Sequence, residues 1–183
     1  EPADTDEFLV SDAGTLKRID YSLIKGGGIT MVDQWRITSS FTGSVNPLSS
    51  NWERNDKAPS VGYYGSQMTE SSGLFTFPST GIYYVSFTTN FKRNGDSRYN
   101  SVYIRATTDG STTAQVAEAN QAITQSEGAT TYAFATAEIV LDIQSTSNNK
   151  VAFEIDPSQS STEILANSNR DVTYARFIRL GDT

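Results

Sequence analysis

The sequence predicts an all-β protein, an antiparallel sandwich with a short β extension at its N-terminus. From Met31 onward, apolar residues alternate with polar ones, which is the two-residue period of a half-buried strand, and no helical period is sustained. Clusters of glycine, proline, asparagine and serine interrupt this alternation where turns are needed. A chain of 183 residues is long enough for one sandwich and its extension.

The N-terminal segment predicts a β-hairpin. Strands at 8–10 and 16–19 flank the turn sequence 12–15, in which Gly14 accepts a positive φ. A two-stranded hairpin is marginal alone, so it should need partners, which three copies around an axis would supply. Three consecutive glycines at 26–28 disfavour both helix and strand. They predict a boundary between a neck, residues 1–28, and a head, residues 29–183.

The head carries the predicted strands of the sandwich. Residues 115–122 are rich in alanine, so a helical turn is an alternative to a strand there. In chain order the predicted strands are 32–37, 74–77, 82–91, 101–107, 113–119, 131–143, 150–155 and 172–180. Within 82–91, one face carries Tyr83, Val85, Phe87 and Phe91, which we assign to the core.

Strand 131–143 is apolar on both faces. Tyr132, Phe134 and Val140 lie on one face, and the other carries alanine, isoleucine and leucine. A monomeric sandwich would leave one face in water, so we interpret it as an oligomer surface. With the neck, it predicts a homotrimer whose inner sheet uses Tyr83 or Tyr84, and Tyr132 or Phe134. The predicted trimer and core residues are Trp35, Phe75, Tyr83, Phe87, Tyr132, Phe134 and Phe177; Trp52 stays unassigned.

Two motifs resemble the C1q/TNF-like jelly-roll family. Gly73 and Phe75 precede a Pro/Gly turn, after which Gly81 and alternating aromatic or apolar residues follow, similar to the family's Gly-x-Phe and Gly-x-Tyr-x-Phe strands. Residues 174–182 resemble the family's last strand, which lies in the middle of the inner sheet. The resemblance implies an antiparallel jelly roll.

A narrower resemblance concerns the source. Residues 33–37, 43–47, 50–54 and 68–73 are similar to head domains of marine phage tail fibres and related virion appendages, and residues 6–19 resemble the shaft units that precede such heads. This resemblance implies an extracellular virion location. It also implies a homotrimer that contacts other fibre or capsid proteins and a host surface glycan or protein.

Composition excludes several classes of site. The sequence has no cysteine and no histidine, which removes thiol nucleophiles, disulfides and the commonest general base. A net charge of −7 opposes binding to nucleic acid or to an anionic membrane. No apolar run approaches the ~20 residues of a membrane span, and no signal-peptide pattern opens the chain. We expect neither a nucleic-acid partner nor membrane insertion.

Acidic residues suggest two other kinds of site. Glu138, Asp142, Glu154 and Asp156 could act on a glycan if two of them lay ~5 to 9 Å apart, but solvated positions on adjacent strands are the preferred interpretation, and no enzyme is expected. Calcium could bind at a subunit junction, as in some C1q-like heads. The aspartates that could supply oxygen ligands are Asp96, Asp109, Asp156 and Asp171. No loop has EF-hand spacing, so turn capping is preferred and no cofactor is expected.

The long connections predict a binding surface. Segments 92–100, 120–130 and 157–171 alternate with short turns, so they should lie at one end of an antiparallel sandwich, with the C-terminus and the neck at the other. Loops on a rigid scaffold concentrate binding residues. The densest mixture of basic and aromatic residues lies there. The predicted receptor-binding residues are Phe91, Lys92, Arg93, Arg98, Tyr99, Asn167, Asn169 and Arg170.

The leading hypothesis is a non-enzymatic, trimeric head domain of a phage tail fibre that binds a host receptor, with a glycan preferred. The alternatives are a purely structural virion subunit for capsid decoration or tail assembly, a glycan hydrolase, and a cellular C1q-like ligand. A jelly roll hosts all of these functions, so the fold does not choose among them.

Overall fold

The computed structural model describes residues 2–3, 5–21 and 28–183. These residues form fifteen β-strands, and none of their helical turns has the length and hydrophobicity required to cross a membrane. The strands are β1 (Glu7–Asp12), β2 (Thr15–Asp20), β3 (Met31–Ile37), β4 (Phe41–Thr42), β5 (Trp52–Arg54), β6 (Tyr63–Gly65), β7 (Thr69–Ser71), β8 (Leu74–Thr76), β9 (Gly81–Arg93), β10 (Asn100–Thr107), β11 (Ala114–Asn120), β12 (Thr131–Ile143), β13 (Lys150–Pro157), β14 (Glu163–Leu165) and β15 (Tyr174–Gly181).

The neck hairpin forms as predicted. Strands β1 and β2 pair from Glu7 and Asp20 to Asp12 and Thr15. The two turn residues, Ala13 and Gly14, both have positive φ, which is the backbone that matches the twist of a hairpin. Leu9 and Leu16 are 71% and 72% exposed, so the hairpin has no core of its own. Of the predicted glycine boundary, residues 26–27 lie outside the described residues.

The head is a sandwich of two antiparallel sheets. The inner sheet has the order β4-β14-β9-β15-β3-β5, with β6 also on β3 and β12 on the other edge of β9; the outer sheet has the order β11-β10-β13-β8-β7. Strand β15 lies between β9 and β3, which confirms its predicted central place. Residues 114–120 form a strand, so the helical alternative is wrong.

Aromatic side chains fill the space between the sheets. Phe75 lies 5.2 Å from Phe177, and Phe87 stacks on Phe153 at 4.5 Å between ring centroids. Trp52, unassigned from sequence, packs edge-on against Phe75 at 5.1 Å and donates its Nε1 hydrogen to the Leu48 carbonyl. The predicted core residues Phe75, Tyr83, Phe87 and Phe177 are all fully buried, and Trp35 packs against them while remaining partly exposed.

The two faces of β12 have different environments. Ala135, Ala137 and Ile143 are buried in the core, while Tyr132 and Phe134 are 64% and 65% exposed. The predicted division of the strand is therefore correct. Tyr132 and Phe134 belong to its outward face and take no part in the core.

The glycine that opens β9 is required by its backbone and by its neighbours. Gly81 has φ = 142°, and a Cβ there would lie 2.6 Å from the Gly181 carbonyl oxygen. We expect Gly81→Ala to lower the free energy of unfolding by about 1 to 3 kcal/mol through backbone strain alone, before any clash is counted. Gly128→Ala is the control, because Gly128 also has positive φ but no atom within 4 Å of the added Cβ. Equal shifts in chemical denaturation would show that the contact with Gly181 is irrelevant.

Candidate functional site

The three long connections of the head lie at one end, as predicted. Strand β9 spans the head from one end to the other. Its first residues, near Gly81, lie beside the end of β15, and its last residue, Arg93, pairs with Thr131 at the end where the long loops begin. Met31 pairs with Arg179, so the chain enters the head at the end where β15 finishes. We call the opposite end, formed by residues 94–99, 121–130 and 158–173, the long-loop end.

Hydrogen bonds join these loops into one surface. Ser97 and Ile123 form an isolated β-bridge between the first and second loops, and Asp96 accepts a hydrogen bond from the Gln125 amide at 2.7 Å. The buried Ser97 hydroxyl lies 3.0 Å from that of Ser158 in the third loop. Because each loop is hydrogen-bonded to another, the three loops hold one another in place and form a single structured surface.

Two of the predicted basic residues serve this architecture. The Lys92 ammonium bonds Glu163 at 2.8 Å, and the hydrogen bond and charge of Glu163 raise the pKa of Lys92. The Arg93 guanidinium donates to the Asp96 carbonyl at 2.9 Å and to the Ser161 hydroxyl. Both cations therefore hold neighbouring segments together and have reduced freedom to meet a ligand.

The assignment of Phe91 to the receptor surface is wrong. Its side chain is fully buried, because it follows the alternation of β9 and points between the sheets with Tyr83 and Phe87. Of the other predicted residues, Arg98 is exposed and Tyr99 is half-buried. The Arg98 guanidinium lies 5.5 Å from the centre of the Tyr99 ring, within cation–π range.

The predicted residues 167–170 lie at the same end but are anchored elsewhere. The Asn167 amide donates to the Ile37 carbonyl at 3.1 Å, and the Asn169 amide donates to the Asn167 side chain. Asp171 accepts from Asn55, next to β5. These bonds tie the segment to the β3 and β5 side of the head, whereas Arg98 and Tyr99 lie beside the outer sheet. Asn169 and Arg170 are exposed.

A shallow depression opens between the first two loops. Its volume is about 450 Å³, and Arg98, Thr124 and Gln159 are among the residues that line it. The loop residues that form its floor, Ser97 and Ile123, are buried. The sequence 94–97 predicts a turn, but it carries no signal that Ser97 and Ile123 would meet beneath a depression.

The acidic residues do not assemble into one site. Glu138 and Asp142 lie on the outward face of β12 in the inner sheet, whereas Glu154 and Asp156 lie on β13 in the outer sheet. The expectation that their strands are adjacent is therefore wrong, and the two pairs are on opposite surfaces of the sandwich. Glu138 accepts a hydrogen bond from the Tyr84 hydroxyl at 2.6 Å, and Glu154 pairs with Arg105 at 2.6 Å.

The candidate calcium ligands lie apart as well. Asp109 caps its turn by accepting hydrogen bonds from the Thr107 hydroxyl and from the Ser111 and Thr112 amides, and these bonds hold its pKa well below the usual value. Asp96, Asp156 and Asp171 accept from Gln125, Ser44 and Asn55 respectively. Within the described ranges, no three acidic side chains are grouped as metal ligands.

The sequence matches no protein-family model, and no curated protein is significantly similar to it. The crystal structure of murine APRIL at pH 5.0 matches with a TM-score of 0.59 over 82% of this chain and 98% of that chain. The fold is a TNF-like jelly roll. Structures of murine APRIL at pH 8.5 and pH 8.0 each match with a TM-score of 0.56 over the same shares. The identities are 10% to 11%, so this similarity concerns the fold alone.

Proposed function

We propose that this chain is the non-enzymatic head domain of a phage tail fibre, that it assembles as a homotrimer, and that its long-loop end binds a host surface receptor. The observation that carries the proposal is the separation of two ends. The loops are bonded together at one end, and the chain from the neck enters the head at the other. A fibre tip requires this arrangement, because its shaft and its receptor lie on opposite sides.

Self-association is supported by a row of apolar side chains across the outward face of the inner sheet. Register pairs place one such residue on each of five neighbouring strands: Tyr64, Val32, Ile178, Tyr84 and Val140. Tyr64 and Val140, at the two ends of the row, are 60% and 57% exposed. The two ends differ, so they would meet head to tail, and such contacts close into rings.

The free edge of β12 supports the same conclusion. Among the described strands it pairs with β9 alone, and it is 13 residues long. An exposed, apolar edge of this length promotes unwanted association unless it is covered. A groove of about 390 Å³ beside its first residues, lined in part by Tyr132 and Phe134, would be covered by a second copy. The choice of three copies follows the resemblance to phage tail-fibre heads and the neck hairpin, which is marginal as a single copy.

Point substitutions test receptor binding better than loop removal does. Ser97 is buried, and its hydroxyl donates to Asn100 at 2.8 Å, so replacing the whole loop would also damage the scaffold. The variant Arg98→Ala/Arg170→Ala removes two exposed cations of the long-loop end. We expect it to keep its oligomeric mass and melting temperature and to lose at least about tenfold in adsorption to cells, because charged hydrogen bonds contribute about 1.5 to 3 kcal/mol each.

Adsorption is measured by flow cytometry with fluorescent protein on a panel of marine bacteria. Lys17→Ala/Lys150→Ala is the matched control, since it removes the same charge outside the long-loop end. Wild-type protein that adsorbs to no strain would contradict the proposal, as would a long-loop variant that adsorbs like the control. Virion imaging that places this end against another virion protein would favour the structural subunit instead.

A further inference from the structure

The outer sheet carries a second concave site next to the long-loop end. It is an open hollow of about 300 Å³, lined by Tyr99, Ser101, Tyr103, Glu118, Asn120 and Asp156. Its floor is regular β-sheet, because Ser101 pairs with both Asn120 and Asp156, and Tyr103 pairs with Glu118. Directly paired side chains lie about 4.5 to 5.5 Å apart at Cβ, so these groups converge on a rigid platform.

The hollow has negative charge that the protein leaves uncompensated. Within the described part of the chain, no basic side chain lies within 4.0 Å of Glu118 or Asp156, although Glu154 in the same sheet is paired with Arg105. Asp156 accepts one hydrogen bond from the Ser44 hydroxyl through Oδ1, and Glu118 accepts one from the Ser101 hydroxyl through Oε1 at 3.5 Å, so each carboxylate keeps a second oxygen free. Carboxylate oxygens therefore remain available to accept hydrogen bonds from a ligand.

The tyrosines add a donor and an aromatic surface. The Ser101 hydroxyl acts to lower the pKa of Tyr103, but burial, the charge and hydrogen bond of Glu118 and the charge of Asp156 outweigh it and keep that pKa above its usual value. A tyrosine hydroxyl is both a donor and an acceptor, and Tyr103 lines the hollow, so its hydroxyl can exchange hydrogen bonds with a ligand there. Tyr99 lies at the rim, half-buried, where its ring can pack on an apolar face.

We propose that this hollow binds one sugar residue of a saccharide that carries no negative charge. Carboxylates and an amide suit the hydroxyl groups of a sugar, the tyrosine rings suit its apolar face, and the volume lies at the lower end of ligand sites. Two free carboxylates repel uronate, sialate or sulfate groups and favour a protonated amine. The inference rests on the proposed function, since it places a saccharide subsite beside the receptor-binding end.

The test is binding of the full chain to an array of neutral, amine-bearing and carboxylate- or sulfate-bearing oligosaccharides. We expect binding in the order amine-bearing, neutral, acidic. The near-isosteric variant Glu118→Gln/Asp156→Asn should bind amine-bearing glycans at least about tenfold more weakly, because it loses charge-assisted hydrogen bonds. The control Asp142→Asn/Asp182→Asn removes the same charge from exposed residues outside both the hollow and the long-loop end.

Each outcome separates this inference from the proposed function. Wild-type protein that prefers acidic glycans, or binds none, overturns the inference, as does a hollow variant that binds like the control. If that same wild-type protein still adsorbs to cells through the long-loop end, the proposed function survives. Tyr103→Phe provides a second measurement, since loss of its hydroxyl should weaken sugar binding while circular dichroism and oligomeric mass stay unchanged.

Discussion

Phe177→Ala and Tyr83→Ala should each lower the free energy of unfolding by about 3 to 5 kcal/mol, the usual cost of truncating a buried aromatic side chain. Phe177 is fully buried, and the centre of its ring lies 5.2 Å from that of Phe75 and 6.1 Å from that of Phe153. Its loss therefore opens a cavity among rings from both sheets. Tyr83 packs on Phe77 at 4.7 Å and donates a hydrogen bond to the Ser79 carbonyl at 3.0 Å.

Two controls separate the cavity from other effects in denaturant titrations. Tyr83→Phe keeps the ring and removes only the hydroxyl with its hydrogen bonds to the Ser79 carbonyl and hydroxyl, each of which contributes about 1 kcal/mol. Tyr99→Ala changes a half-buried loop residue and should cost under about 1 kcal/mol. If Tyr99→Ala proved as damaging as Phe177→Ala, the core would have to be assigned differently.

The long strands could be predicted because their patterns are long. Strand β9 alternates over enough residues to assign its two faces, and the doubly apolar β12 stands out against the rest of the chain. The short strands could not be found in this way. Strand β4 has two residues and β14 has three, too few for any period, and they exist because their partners hold them in register.

The partners of buried charged residues cannot be predicted from the sequence either. Arg36 is fully buried in β3, yet its guanidinium is bonded to Glu53 at 2.9 Å and to Asp56, which come from a segment without periodicity. Burial acts to lower the pKa of Arg36, but these two carboxylates outweigh it and raise that pKa. A charged residue in a strand is predicted to be solvent-exposed, because charged side chains are rarely fully buried without a partner, and such distant partners cannot be identified from the sequence.

Phe91 shows that strand parity is a better predictor of burial than local composition. Its basic and aromatic neighbours indicate a binding loop, but its parity with Tyr83 and Phe87 places it on the core face of β9. Parity within a strand is a physical constraint, whereas local composition is only a correlation. The carboxylates of the hollow, Glu118 and Asp156, are far apart in sequence, and only the pairing of β10 with both β11 and β13 brings them together.

Phe134→Glu should convert the proposed trimer to a monomer at micromolar concentration. Phe134 lies on the outward face of β12 with 65% of its surface exposed, and covering it against a second copy would contribute about 1.5 to 3 kcal/mol per chain. A glutamate there would lose this gain and would also leave a charge without a partner in an apolar contact, which is strongly unfavourable. The head should still fold, because Phe134 makes no part of the core.

Light scattering measures the outcome directly, since one chain has a mass of 20.0 kDa and the wild type should show about three times that value. Thr108→Glu is the control: it adds the same charge at an exposed turn that follows β10 of the outer sheet. A wild type that scatters as a monomer would refute the assembly itself. A Phe134→Glu variant that keeps the wild-type mass would instead place the contact elsewhere.

Loss of the trimer should also expose the neck, because Leu9 and Leu16 are exposed in one copy and would gain partners only if three necks meet. Loss of the trimer should therefore also make the neck more sensitive to proteases, while the head remains resistant.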